Sequence, residues 1–141
     1  MVKTIGIGKQ DFASVIEDNC FFVDKTPFIK EWWDCGDSAT LITRPRRFGK
    51  TLTMSMVEQF FSIDYAGRSD LFEHLAIWKE EKYRELQGTY PVISLSFARI
   101  KERDYEKTKQ KMCEVLRNIY IKFCYIKDSE KLTDADRAYY E

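Results

Sequence analysis

The chain has 141 residues, 44% hydrophobic and 15% aromatic, which is enough for a packed core and excludes a disordered segment. Lys plus Arg equal Asp plus Glu at 23 each, so overall charge says nothing for nucleic acid and only the local cluster Arg44, Arg46, Arg47 and Lys50 does. No apolar run reaches the length of about 18 residues that a membrane span needs, and the start Met-Val-Lys-Thr-Ile-Gly lacks an apolar signal core, so neither a span nor secretion is expected.

Residues 1–11, with Gly6 and Gly8, read as an irregular lead-in. Asp11 is placed to cap a short helix through Glu17, with Phe12, Val15 and Ile16 on its apolar face. Cys20-Phe21-Phe22-Val23 suits a short buried strand. Thr26 reads as an N-cap with Pro27 at the first helical position. The helix Pro27–Asp34 carries Phe28, Ile29, Trp32 and Trp33 and stops at Gly36. Asp37 and Ser38 turn the chain into an apolar strand over 39–43.

Residues 39–54 then read as strand, loop and helix, and Gly49-Lys50-Thr51 closes the loop as a phosphate-binding loop ends. In such a loop, backbone N–H groups of the loop and of the next helix's first turn cradle phosphate oxygens. The Lys reaches the terminal phosphates and the hydroxyl takes a position on Mg²⁺. The candidate cofactor-binding set is Arg46, Arg47, Phe48, Gly49, Lys50, Thr51 and Leu52, with Thr51 also the candidate metal ligand. The general pattern wants Gly six residues before the Lys, where this chain has Arg44, so the loop path must differ. The arginines at 44, 46 and 47 add positive charge that a phosphate can use. The helix opened at Thr51 runs to about Ser62, with Leu52, Met54, Met56, Val57, Phe60 and Phe61 apolar.

Beyond it, Ile63–Ser69 reads as a loop, Asp70–Leu75 as helical, and Ile77–Leu86 as an amphipathic helix stopped by Gly88. Tyr90–Phe97 is the strongest strand signal, a near-continuous apolar run suited to a strand covered on both faces. A long helix follows from Asp104 to about Ile126, with Tyr105, Thr108, Met112, Val115, Leu116, Ile119 and Phe123 spaced for core packing. Lys127–Glu130 breaks it, and Thr133-Asp134-Ala135-Asp136 opens another helix. The scattered cysteines, Cys20, Cys35, Cys113 and Cys124, form no Cys-x-x-Cys pair, and with His74 alone no zinc site is expected; free buried thiols in a reducing cytosol are the reading. Strands alternating with helices predict an α/β fold, a three-layer arrangement on a parallel sheet of the P-loop NTPase type, incomplete within these residues. Residues 1–38 form its lead-in of short helices and 39–141 its core portion. No acid ends a strand to hold Mg²⁺ through water, and Asp104 reads as the cap of the long helix.

Phe12, Phe22-Val23-Asp24-Lys25-Thr26, Leu41-Ile42-Thr43-Arg44-Pro45-Arg46-Arg47-Phe48-Gly49-Lys50-Thr51, Leu71-Phe72 and Tyr90–Phe97 together resemble the bacterial AAA-ATPase-like family. The resemblance covers about residues 5 to 141, and Arg44 is normal for that family. It implies ATP and Mg²⁺ as cofactors, a cytoplasmic location, and a chain that is the N-terminal part of a larger protein. In that family an acidic strand lies downstream of the long helix, and a C-terminal domain similar to PD-(D/E)XK nucleases often follows, a route to nucleic-acid partners. On this reading the chain is an ATP-binding portion whose hydrolysis needs the absent acidic strand. Asp24, Lys25 and the surroundings of Phe12 are expected near the base or ribose, from their place before the loop. The strands 39–43 and 90–97 are not expected to be neighbours, which leaves unpaired edges and predicts self-association. Two other readings stay open: an interaction module whose basic loop meets nucleic acid or protein, and a degenerate structural P-loop domain.

Overall fold

A computed structural model describes residues 3–139, and the chain divides after Val92 into two compact units. In the first unit, Phe12–Glu17 forms α1, Pro27–Cys35 α2, Lys50–Phe61 α3 and Glu81–Arg84 α4. Single 3-10 turns at Ile63–Tyr65, Ser69–Leu71 and Ala76–Lys79 join α3 to α4. The Asp11 side chain accepts from Ser14 N at 2.8 Å, capping α1 as its sequence dictates. Gly36 closes α2 in the left-handed conformation at φ 65°.

The core of this unit is aromatic. Phe12 stacks on Phe72 with centroids 5.0 Å apart, Phe60 meets Phe72 edge-on at 5.1 Å, and Trp33 stacks on Phe61 at 5.3 Å. Ile29, Met56, Leu71, Ile77 and Tyr83 complete it. Polar groups lock α1 to α3 around this core: Phe12 N donates to Ser55 Oγ at 3.0 Å, and Gln59 Nε2 donates to Asp11 Oδ1 at 2.6 Å. Thr53 and Gln59 are therefore buried while Met54, expected on the apolar face, is exposed. The buried Tyr83 donates its hydroxyl to Asp34 Oδ2 at 2.5 Å, and Lys82 pairs with Asp34 Oδ1 at 2.7 Å, joining α4 to α2. Those two hydrogen bonds, Lys82 first, hold the Asp34 carboxyl below its ordinary pKa.

The expected α/β fold with a parallel sheet is not what forms. Among the described residues there is no strand, only the isolated parallel bridges Thr4–Cys20 and Ser62–Tyr90. The segment 39–43 forms no strand and no ladder, and Leu41 is 84% exposed. Residues 91–97 likewise form no strand, with Ile93 64% exposed, and 20–23 supplies only the bridge at Cys20. A ladder needs a second extended segment alongside to take its N–H and C=O groups. Here the residues around the P-loop candidate are occupied by helices and turns.

In the second unit, Tyr105–Lys122 forms α5, a 3-10 turn covers Cys124–Asp128, and Asp134–Ala138 forms α6. Asp104 caps α5, accepting from Lys107 N at 3.2 Å, and Thr133 with Asp136 makes a reciprocal capping box on α6. The apolar stripe of α5 does not pack as core: no residue of the helix is buried, and only Phe123, just past its end, is. With no sheet layer beneath it, the stripe has nothing to cover it. All four cysteines are free, as expected, but only Cys20 is buried; Cys35, Cys113 and Cys124 are exposed.

Candidate functional site

The loop that precedes α3 is short, basic and open. Arg44, Arg46, Arg47 and Phe48 are exposed, and the chain turns at 46–49 before Lys50 begins the helix. Two residues supply the left-handed geometry that the missing glycines would otherwise give: Arg47 at φ 67° and Gly49 at φ 73°. A non-glycine residue held there costs about 1–2 kcal/mol, which places backbone strain at this loop. Thr53 N donates to the Gly49 carbonyl at 2.8 Å, and Thr53 Oγ1 donates to the same oxygen at 3.0 Å. The amides of Lys50, Thr51 and Leu52 precede that first closing bond, so helix geometry gives them no intrahelical acceptor. They are the donors that an anion at the start of α3 would use.

The Lys50 ammonium donates to the Arg44 carbonyl and so folds back across the loop. Thr51 is exposed, and Leu52 is half-buried against the core. The structure thus keeps Arg46 to Leu52 contiguous around one turn and the start of one helix.

Beside the loop lies a cavity of about 670 Å³, bounded by the first turns of α2, by residues 40–44 and by the loop itself. Lys25, Phe28, Glu31, Phe48, Lys50 and Thr53 face it. Trp32 Nε1 donates to Thr40 Oγ1 at 3.0 Å, tying segment 40–44 to α2. Phe12 does not line this cavity; it is fully buried in the aromatic core. Among the described residues no group of three or more His, Cys, Asp or Glu side chains is arranged to hold a metal ion. A Mg²⁺ ion here would depend on Thr51 and on the phosphates it accompanies, which is its usual mode beside nucleotides.

Lys25 and its neighbours make bonds that the local sequence did not announce. Asp24 Oδ1 accepts from Thr26 N at 2.9 Å and from Thr26 Oγ1 at 2.6 Å, an Asx turn. Asp24 Oδ2 accepts from Ala76 N at 2.7 Å, and Thr26 Oγ1 accepts from Ile77 N at 3.1 Å. The Thr26 hydroxyl therefore does not cap α2, as the Thr-Pro pair suggested; it is buried and bolts the turn to residues 76–77. Lys25, held between these two anchors, donates to the Phe48 carbonyl at 3.1 Å, in the loop that precedes α3. The Asp-x-Thr spacing was the signal for the turn; nothing local signalled where Lys25 would reach.

No helix among the described residues is long and apolar enough to cross a membrane. No solved structure matches the chain. A curated relative from Azotobacter chroococcum mcd 1, described as an uncharacterized protein in the vnfD 5′ region, is 32% identical over 115 residues. That match covers 81% of this chain and 21% of the relative, so the chain spans about a fifth of that protein's length. The model of the AAA-ATPase-like family, described as predicted AAA-ATPase, matches residues 6–140. With the match running nearly end to end and the Arg-Pro-Arg-Arg-Phe-Gly-Lys-Thr loop inside it, the chain belongs to the AAA-ATPase-like family.

Proposed function

We propose that residues 44–52 bind the phosphates of ATP and that Thr51 contributes to the Mg²⁺ that accompanies them. The observation that carries this reading is the open first turn of α3 behind a loop whose Lys50 is held only by a backbone carbonyl. The amides of Lys50, Thr51 and Leu52 donate to phosphate oxygens. The Lys50 ammonium exchanges the neutral Arg44 carbonyl for a charged phosphate oxygen, a stronger acceptor. Arg46 and Arg47 add field at the mouth, and Phe48 and Gly49 shape the turn. When bound, Mg²⁺ neutralises phosphate charge.

The activity assigned to these residues is binding. Two carboxylates line the cavity, Asp24 and Glu31; Asp24 accepts three hydrogen bonds within the protein, and neither ends a strand beside the loop as a Mg²⁺-holding acid would. Asp104 caps α5. A reducing, cytoplasmic setting belongs to the same proposal, since three exposed thiols stay free there. Titration of a fluorescent ATP analogue into the wild-type chain and Lys50→Ala tests the reading. Loss of one charged hydrogen bond should weaken binding by about 1.5–3 kcal/mol. Equal affinities would refute it.

A further inference from the structure

We propose that Lys25 is a second phosphate-binding cation of this site, reaching the loop at the end opposite to the carbonyl that Lys50 holds and reading the length of the polyphosphate chain. The inference rests on the phosphate-binding reading above and goes beyond it. Lys25 comes from outside the loop, from a turn immediately before α2, yet its Nζ lies 3.1 Å from the Phe48 carbonyl. A Cβ built on Gly49 would lie only 2.8 Å from the same Nζ, so the glycine leaves the space that the ammonium fills. The Lys50 ammonium sits on the Arg44 carbonyl, so the two cations take carbonyls at the two ends of the loop.

Neither ammonium has a carboxylate partner among the described residues. Asp24 and Glu31 also line the cavity, but neither pairs with these ammonium groups, and both Asp24 oxygens accept elsewhere, from Thr26 N, Thr26 Oγ1 and Ala76 N. Two cations in one cavity repel each other, and each holds only a neutral acceptor; an anion with several charged oxygens relieves both. The Asx turn and the Thr26 bond fix the backbone on either side of Lys25, so only its side chain has to swing from Phe48 to the ligand. A nucleoside triphosphate has oxygens enough for the helix amides, Lys50 and Lys25 at once, whereas a monophosphate does not.

The test is competition for a fluorescent ATP analogue by ATP, ADP and AMP, on wild type, Lys25→Gln, Lys25→Arg and Lys50→Ala. Lys25→Gln keeps the side-chain stem, and tryptophan fluorescence and melting confirm its fold. The expected result is an ATP affinity lowered about tenfold or more in Lys25→Gln, the range for one charged hydrogen bond. AMP affinity should change little, and Lys25→Arg should restore most of the loss. ATP affinity within about twofold of wild type in Lys25→Gln, with Lys50→Ala still defective, overturns the role of Lys25 and leaves the phosphate site standing. Equal losses for ATP and AMP also overturn it, because they report a distorted loop. No ATP binding by the wild-type chain overturns the phosphate site and this inference together.

Discussion

Replacing Gly88 by alanine should damage the first unit far more than replacing Gly36, although both glycines have the same left-handed backbone, at φ 68° and 65°. An L-residue there costs about 1–2 kcal/mol, and at Gly36, where an added Cβ meets nothing within 4 Å, that is the whole effect. At Gly88 the Cβ would lie 2.6 Å from Ala66 Cα and 3.0 Å from Ala66 N. Those are backbone atoms, and the 65–67 turn has no rotamer with which to yield. Overpacking of this kind adds about 1–3 kcal/mol. The bond from Gly88 N to the Phe60 carbonyl, 2.8 Å long, is strained at the same time. The difference between the variants should be about 2 kcal/mol, or about 10 °C in melting temperature for a unit of this size. Trp32, Trp33 and Trp78 all lie in this unit, so tryptophan fluorescence during thermal and urea unfolding reports it selectively. Melting temperatures within about 3 °C of each other, where the scale is about 4–8 °C per kcal/mol, would refute the close approach of 88 to 66.

Phe72→Ala removes a fully buried ring touching Phe12 and Phe60 and should cost about 3–5 kcal/mol, read from the urea midpoint. Thr26→Val conserves shape but leaves the buried Ile77 N–H without its acceptor, so a loss of about 1–3 kcal/mol is expected, with Thr26→Ser recovering most of it. The Asp34 carboxyl titrates below its ordinary value when folded, so its contribution is complete above the unfolded value of 3.8 and fades as pH falls through the lower folded one. Urea midpoints between pH 6 and pH 2.5, two bracketing conditions chosen about these values, should fall less steeply for Asp34→Asn than for wild type.

Helix ends were legible where their signals are local, whereas the helices expected over Asp70–Leu75 and Ile77–Leu86 form instead as the 3-10 turns Ser69–Leu71 and Ala76–Lys79 and the short α4. Asp11, Gly36, Asp104 and Thr133 each act within a few residues of themselves, and each end lies where its cap predicts. The apolar runs at 39–43 and 90–97 were read as strands, but an apolar run states only that its side chains avoid water. Pairing is decided by a second segment elsewhere, and among the described residues these runs gain only the single bridge of Tyr90 to Ser62. The stripe on α5 misled for the same reason: helical spacing shows that a face exists, not that a layer covers it. In the candidate site, Gly49-Lys50-Thr51 was visible as a short-range pattern. The reach of Lys25 to Phe48 spans more than twenty positions, and the bolt beneath it depends on residues 76 and 77.

That bolt also sets an order of assembly on the ribosome. The bonds of the loop are short-range: Thr53 to Gly49 and Lys50 to Arg44 can form soon after residue 53 emerges. The donors that fix Asp24 and Thr26 are the amides of Ala76 and Ile77, which are made later. At about 5–20 residues per second, the delay is on the order of seconds. During that interval the turn at Asp24–Thr26 is not yet bolted to residues 76 and 77, so the backbone that carries Lys25 takes its final place only when that later turn docks.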